Sequence, residues 1–336
     1  MIDGESNMND FISVIMPLYN EEKYIRNCIQ SLLKQNYPLE DMEWILVDGC
    51  STDSTKEILK EFQDEYPNLI KIFDNPNKTV PYAMNIGIEH AMGKYIIRLD
   101  AHADYKVDYI SKCVYYLNTT DADNVGGIAE TKSHGFVGNA IAMMLSSKFG
   151  VGNSQFRTNG CSGYVDTVPF GAFRREVFEK WGGYDERLTR NQDNEMNYRI
   201  RKNGGKIYLS DEIRFSYYCR DSIKGISDMA VKNGMWNIIT MKLCPGAMGI
   251  RHFIPFAFLM SIIILPILSI FQPKMLYLFV AEMVLYFVLD AVFAFKATKK
   301  FRYAVMVFIL FPIFHLTYGF GSLKGLLKLL DKEYRN

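Results

Sequence analysis

Net charge is almost absent from this 336-residue chain: 38 Lys and Arg face 37 Asp and Glu, leaving a formal +1. Nucleic-acid-binding domains carry a clear basic excess, so the electrostatic case for that partner is missing. Close cysteine pairs are missing too. Cys28, Cys50, Cys113, Cys161, Cys219 and Cys244 include no C-x-x-C spacing, which removes zinc ribbons and dithiol redox motifs. No G-x-G-x-x-G follows the first β-rich run, so a dinucleotide-binding domain loses its fingerprint. Gly87 to Gly93-Lys94 is no P-loop: five residues separate the glycines, Tyr95 stands where Ser or Thr is needed, and the order runs from helix to strand. Met1 to Asp10 is acidic and polar, without the basic stretch and apolar core of a secretory signal. A cytoplasmic location with reduced thiols is therefore expected for the soluble part. The composition, 49 % hydrophobic and 22 % charged, excludes a disordered or collagen-like chain.

The most informative absence is local. Residues 253–271 carry no charge, and from there to residue 295 only Lys274, Glu282 and Asp290 interrupt the apolar run. A bilayer core takes about 20 apolar residues in a helix. Residues 253–271 and 275–295 are therefore expected to span, and 303–320, interrupted by Pro312, is a shorter third candidate. Lys296, Lys299, Lys300 and Arg302 form a basic loop of the kind kept in the cytoplasm, which makes the first two segments an out-and-back hairpin in the cell membrane. Beyond Phe320, Lys324, Lys328, Lys332 and Arg335 alternate with leucines at helical spacing; an amphipathic surface helix and a full third span both fit. Glu282 and Asp290 are costly in lipid and fit either a partner helix or the membrane ends. The expected organisation is a tail at 1–10, a soluble domain at 11–224, an interfacial linker at 225–252, membrane segments over 253–320 and a basic tail at 321–336. Within the linker Trp236, flanked by Lys232, Lys242 and Arg251, suggests a helix resting at the membrane interface, and core packing explains Trp236 equally well.

In the soluble part, Ile12 to Met16, Trp44 to Val47, Ile70 to Phe73 and Tyr95 to Leu99 read as strands, with helical patterns after the first three. That alternation predicts an α/β fold with a mainly parallel sheet covered by helices on both faces. Ligands of such sheets bind at the carboxyl ends of the strands. Those ends carry Pro17-Leu18-Tyr19-Asn20-Glu21-Glu22, Asp48-Gly49-Cys50-Ser51-Thr52-Asp53-Ser54 and Asp100-Ala101-His102-Ala103-Asp104. Asn20 and Asp53 also read as helix N-caps. Without a glycine cradle, phosphate calls for a hard divalent cation, Mg2+ or Mn2+, and Asp100, His102 and Asp104 are candidate ligands. An EF-hand is excluded, because Tyr105 takes its glycine position and Ser111 its bidentate acid.

Four stretches, V-I-M-P-L-Y-N-E-E, L-V-D-G-C-S-T-D-S-T, R-L-D-A-H and G-G-Y-D-E-R-L-T-R-N-Q-D-N-E-M-N-Y-R-I, stand in this order and resemble the motifs of a family 2 glycosyltransferase. Phe149-Gly150-Val151-Gly152, Thr167-Val168-Pro169-Phe170-Gly171-Ala172-Phe173 and Asn191-Gln192-Asp193 are similar to those of succinoglycan-type exopolysaccharide glycosyltransferases. The resemblance covers about residues 11–220. It implies a GT-A fold, the Rossmann-like sheet of nucleotide-diphospho-sugar transferases. It also implies that Pro17, Tyr19 and Glu21 line the nucleotide pocket, that Asp48 accepts a hydrogen bond from the base, commonly uracil, and that Asp100 sits near ribose and metal. His102 stands where the family has a metal-binding aspartate, and imidazole suits Mn2+ better than Mg2+.

Asp193 matches the family's catalytic base, with Gln192 in place of a glutamate and Glu195 as the alternative base. Inverting transfer is an in-line displacement in which a base takes the acceptor hydroxyl proton as the bond to C1 forms. Lys78, Gln192, Glu195 and Arg199, with Arg201, are candidate acceptor or phosphate contacts. The reading is a membrane-anchored inverting transferase acting from a nucleotide-sugar, a UDP-sugar first, on a polyprenyl-diphosphate-linked saccharide in exopolysaccharide or cell-envelope glycan synthesis. A processive synthase is the first competitor, but Trp44, Trp181 and Trp236 stand in no Q-x-x-R-W motif. The second is a catalytically silent scaffold, for which His102 and Gln192 speak.

Overall fold

The computed structural model describes residues 10–158 and 160–330. Its strands are β1 Ile12–Leu18, β2 Met42–Asp48, β3 Ile70–Asp74, β4 Tyr95–Arg98, β5 Ala103–Tyr105, β6 Asn124–Lys132, β7 Gly163–Tyr164, β8 Ala172–Arg174 and β9 Ile207–Tyr218. The first helices are α1 Ile25–Leu32, α2 Thr55–Glu65, α3 Val80–His90, α4 Tyr109–Thr119, α5 Gly135–Leu145 and α6 Lys148–Val151. They are followed by α7 Arg175–Trp181, α8 Gln192–Lys202, α9 Ile223–Leu243, α10 Ile254–Phe271, α11 Lys274–Ala297 and α12 Phe301–Lys328.

The strands form one sheet in the order β3-β2-β1-β4-β8-β6-β9-β5, with β7 added on β9. β1 to β4 run parallel, and β8 is antiparallel to both β4 and β6. This mixed sheet has the parallel strands and flanking helices that the GT-A expectation calls for. β2 is buried along its whole length, the pattern of a parallel strand covered on both faces. Its one charged interior residue, Glu43, survives burial because Ser13 Oγ, Lys71 Nζ and the Met92 N–H each donate to it at 2.6 Å. The glycines that mimic a P-loop serve close packing. A Cβ on Gly87 would lie 2.4 Å from the Ile15 side chain, and one on Gly93 2.3 Å from the Ser13 nitrogen. His90 stacks on Phe73 with ring centroids 4.1 Å apart.

The chain divides into two compact units, residues up to 129 with 161–216, and residues 130–160 with 217 onward. The soluble domain expected at 11–224 includes 130–160, which here belong to the second compact unit. Ala140, Ile141, Met144 and Leu145 of the apolar helix α5 are buried in one cluster with Ala294 of α11 and Val307, Leu310 and Phe311 of α12. The Phe149-Gly150-Val151-Gly152 stretch belongs to this second unit as well. Phe149 meets Phe293 at 5.4 Å and Phe311 at 4.9 Å, and its carbonyl accepts from His315 Nε2 at 3.0 Å.

Most of the expected linker at 225–252 is α9, a 21-residue helix that packs backbone to backbone on α12. A Cβ on Gly234 would stand 2.0 Å from the Tyr318 carbonyl oxygen, and one on Gly321 2.1 Å from that of Val231. Small residues permit such close helix contact. Three helices, Ile250–Phe271, Lys274–Ala297 and Phe301–Lys328, are long and apolar enough to cross a membrane by length and composition. The third runs unbroken through Pro312 to Lys328, so 303–320 and the first part of the basic tail are one helix; Lys332 and Arg335 lie outside the described residues. Glu282 has a partner helix, accepting from Ser261 Oγ of α10 at 2.6 Å. Asp290 is fully buried, and its carboxyl oxygens have no hydrogen-bond partner among the described residues.

Candidate active site

From β1 the chain goes to β2 and β3 on one side and returns to β4 on the other, which makes the carboxyl ends of β1 and β4 the topological switch point of the sheet. Three loops of the first unit meet the solvent there. Asp48 ends β2 opposite Leu18; it is fully buried and accepts from the Ser51 N–H at 2.9 Å and from Ser51 Oγ at 2.5 Å. Gly49 lets the β1 loop come close, since its N–H reaches the Leu18 carbonyl at 2.7 Å. A Cβ there would sit 3.2 Å from the Tyr19 ring. Pro17 is within β1, paired with Val47. Tyr19 is 44 % exposed, and the Lys78 ammonium lies 5.7 Å from its ring centroid, so a cation and an aromatic face stand together beside Asp48's loop.

Asn20 and Asp53 lock the first two loops to each other. The Asn20 N–H donates to Ser51 Oγ at 2.8 Å, and the Thr52 N–H to Asn20 Oδ1 at 2.9 Å. Asp53 accepts from the Glu22 N–H at 3.2 Å and from Thr55 Oγ1 at 2.6 Å. Asn20 is thus no helix cap: it has a left-handed φ of 56°, and Tyr24 occupies the N-cap of α1.

Arg98, the last residue of β4, organises the third loop. Its side chain is only 4 % exposed. One guanidinium nitrogen donates to Asp193 Oδ1 and the other to Asp100 Oδ1, the latter at 3.3 Å. Phe170 of the T-V-P-F-G-A-F stretch lies 5.5 Å from the guanidinium carbon. One buried cation therefore joins the residue matching the family base to the residue matching the ribose and metal carboxylate. Burial pushes the Asp193 carboxyl up from its ordinary value; the Arg98 charge pulls it back, and the neighbouring Asp100 charge raises it further. The net direction is upward, and the Asp193 side chain is 30 % exposed.

Asp193 comes from the first turn of α8, and a buried amide network sets that helix in place. Asn124 Nδ2 donates to Asn197 Oδ1 at 2.7 Å, while Asn197 Nδ2 donates to Thr167 Oγ1 at 2.8 Å and to the Val168 carbonyl at 3.1 Å. The loop entering α8 is tied to α3 by Asn85, which exchanges two hydrogen bonds with the Tyr184 backbone at 2.9 and 2.7 Å. Glu195 and Arg199 are spent on each other. Arg199 Nε and Nη2 reach the two Glu195 oxygens at 2.9 and 2.6 Å, and Arg199 Nη1 reaches the Trp181 carbonyl at 2.7 Å. Both read as a brace for α8, not as a second base and a phosphate contact. Gln192 is buried at the first position of α8.

The expected trio of metal ligands is not assembled. Among the described residues no three His, Cys, Asp or Glu side chains are gathered as a metal site. Asp100 is on Arg98, and His102 Nδ1 lies 3.4 Å from Glu21 Oε1. On β5 the alternation that buries Ala103 and Tyr105 leaves Asp104 exposed, while the Tyr105 hydroxyl takes the Asp100 N–H at 2.7 Å. The neighbourhood is nonetheless anionic: the Cys28 thiol is pushed up to about 12 by burial and then by the charges of Asp100, Asp104 and Glu21. A cation on a diphosphate needs only one or two carboxylates, and Asp100 fits that smaller donor set. Arg98 and Tyr105 were not among the residues singled out by sequence, although an arginine in the otherwise apolar run Y-I-I-R-L is the signal that marks Arg98.

The model of the family described as glycosyl transferase family 2 matches residues 13–182. A Methanococcus voltae protein named dolichyl N-acetyl-alpha-D-glucosaminyl phosphate 3-beta-D-2,3-diacetamido-2,3-dideoxy-beta-D-glucuronosyltransferase is 28 % identical over 326 residues, 95 % of this chain and 98 % of its own. Succinoglycan biosynthesis protein ExoA of Rhizobium meliloti is 32 % identical over 209 residues, 62 % of this chain and 63 % of its own. Among solved structures, the mannosyltransferase PcManGT from Pyrobaculum calidifontis, in complex with GDP-Man and Mn2+, superposes with a TM-score of 0.64 at 16 % identity. It covers 95 % of this chain and 88 % of its own.

Proposed function

The chain belongs to glycosyl transferase family 2, and on that premise we propose that it is a membrane-anchored inverting transferase. It moves a sugar from a nucleotide donor, a UDP-sugar, to a saccharide carried on a polyprenyl diphosphate at the cytoplasmic face of the cell membrane. The observation that carries this reading is the Asp193–Arg98–Asp100 array. A carboxylate with a raised proton affinity, partly open and held in one orientation, meets what a general base for an acceptor hydroxyl needs. Asp193 takes the hydroxyl proton as the acceptor oxygen bonds to the donor C1, and the nucleoside diphosphate departs from the opposite side.

Asp48, buried and fixed by Ser51, shapes the loop that receives the base, and Tyr19 with Lys78 flanks the diphosphate. Asp100 would hold a divalent cation, Mn2+ or Mg2+, which when bound neutralises charge growing on the leaving diphosphate. The lipid-linked acceptor is supported by the name of the Methanococcus voltae relative, matched over 98 % of its length, and by the three long apolar helices. A protein held at the same surface as its acceptor meets it at a raised local concentration.

The test is glycolipid formation by the full-length protein in lipid nanodiscs, with UDP-, GDP- and dTDP-sugars, each cation and a prenyl-diphosphate-linked saccharide. Transfer from one UDP-sugar supports the whole reading. Transfer from a GDP- or dTDP-sugar refutes the uracil assignment, and transfer to free saccharide alone refutes the lipid-linked acceptor.

A further inference from the structure

The second unit by itself holds a cavity of about 770 Å3 that no step above uses, a size typical of small-ligand sites. Three lysines reach its wall from three separate stretches of chain: Lys132 at the end of β6, Lys148 at the start of α6 and Lys296 in the last turn of α11. Ser133 and Ser147 add hydroxyls between them, and His134, stacked on Tyr218 at 5.6 Å, stands on the same wall. No Asp or Glu is among the lining residues. Like charges set around one space repel each other, and an anion placed among them relieves that repulsion.

The rest of the wall is apolar, with Met143 of α5 and Phe293 and Ala297 of α11. α11 is one of the helices long enough to span a bilayer, and its lining residues belong to its last turns, where such a helix leaves the hydrocarbon. A ligand that matches this wall is anionic at one end, apolar at the other, and delivered from the membrane interface. We infer that the cavity receives the phosphate-bearing head of a prenyl lipid, with Lys132, Lys148 and Lys296 on the phosphate oxygens and Met143 and Phe293 against the first isoprene units. The inference rests on the lipid-linked acceptor reading and assigns that acceptor's anchoring end a place in the second unit.

The experiment measures binding of farnesyl diphosphate, the probe, to the full-length protein in phosphatidylcholine nanodiscs, beside Lys132→Gln, Lys148→Gln, Lys296→Gln and the triple variant. All three lysines are exposed, so the fold is expected to persist, and nucleotide-sugar binding by each variant checks that. The expected result is saturable binding weakened about tenfold by each substitution, the scale of one charge-assisted hydrogen bond. Inorganic pyrophosphate at equal concentration leaves binding unchanged. Absence of binding to the parent, or unchanged binding in the triple variant, overturns the inference. Equal competition by pyrophosphate assigns the cavity to free anions and overturns the lipid part. Glycolipid formation by the same preparations separates the two claims. Transfer to a lipid-linked saccharide with an unchanged acceptor KM in the triple variant removes the cavity alone. Transfer by the parent only to a soluble saccharide removes the acceptor reading, and the binding arm still decides the cavity.

Discussion

Arg98 places a buried positive charge between two carboxylates, to which the proposed function gives different jobs, Asp193 toward the acceptor and Asp100 toward the donor. A general base works deprotonated, so activity is lost as pH falls through its pKa. Burial raises Asp193, and the acid limb of kcat/KM is therefore expected above the ~3.9 of an ordinary aspartate. Arg98→Met removes the one charge that pulls this pKa down. It is expected to shift the acid limb to still higher pH and to lower turnover, with Arg98→Lys recovering part of both; an unmoved limb contradicts the pairing. Loss of a buried pair's partner also costs stability, on the order of 3–5 kcal/mol, so donor binding by each variant serves as the check on folding. From sequence the proposed base was matched in N-Q-D, and the carboxylates in L-V-D-G and R-L-D. Their junction was not, because Arg98 and Asp193 stand 95 positions apart and no local pattern encodes that contact. The metal trio failed for a related reason. Spacing puts Asp100, His102 and Asp104 close in the chain, but strand alternation at β5 and the claims of Arg98 and Glu21 separate their side chains.

Helix α8 carries the proposed base, and its position depends on buried amide groups. Asn197 is 1 % exposed and bridges Asn124 to Thr167. Asn197→Leu strands the Asn124 amide and takes a donor from the Thr167 hydroxyl, which is expected to cost about 1–3 kcal/mol and to lower kcat more than donor affinity. Denaturant unfolding and initial rates measure the two effects, and unchanged values for both contradict the role given to the network. At this scale the parallel strands were legible to within a few residues, since consecutive buried β-branched and aromatic residues leave little choice. Helix α9 was legible only around Trp236, as a helix at the membrane interface, and its length and partner were not. Its contact face relies on Gly234 meeting the Tyr318 backbone and on Gly321 and Gly325 of α12 meeting the backbone of Val231 and Met235, and small residues leave no apolar stripe for periodicity to detect. Helix α5 was recognised neither as an element nor as part of the membrane end, because its partners Val307, Leu310 and Phe311 lie far along the chain.

At the scale of the molecule, a family 2 catalytic unit shares its chain with a helical unit whose three long helices expose large apolar side chains such as Ile264, Leu285 and Val288. Exposed apolar surface of that extent belongs in lipid. The protein is accordingly expected to stay with membranes through alkaline carbonate and high-salt washes and to be released by detergent; release by salt contradicts the anchoring. The division of labour was legible as a change in composition, whereas the assignment of residues 130–160 needed the tertiary packing. The central claim is that Asp193 acts as the base of an inverting transfer, and its most direct test is the initial rate of glycolipid formation by Asp193→Asn at saturating donor. The account predicts a rate lower by about 10²–10⁴, the usual worth of a general base, with nucleotide-sugar affinity unchanged. A variant that transfers sugar within a fewfold of the parental rate contradicts it.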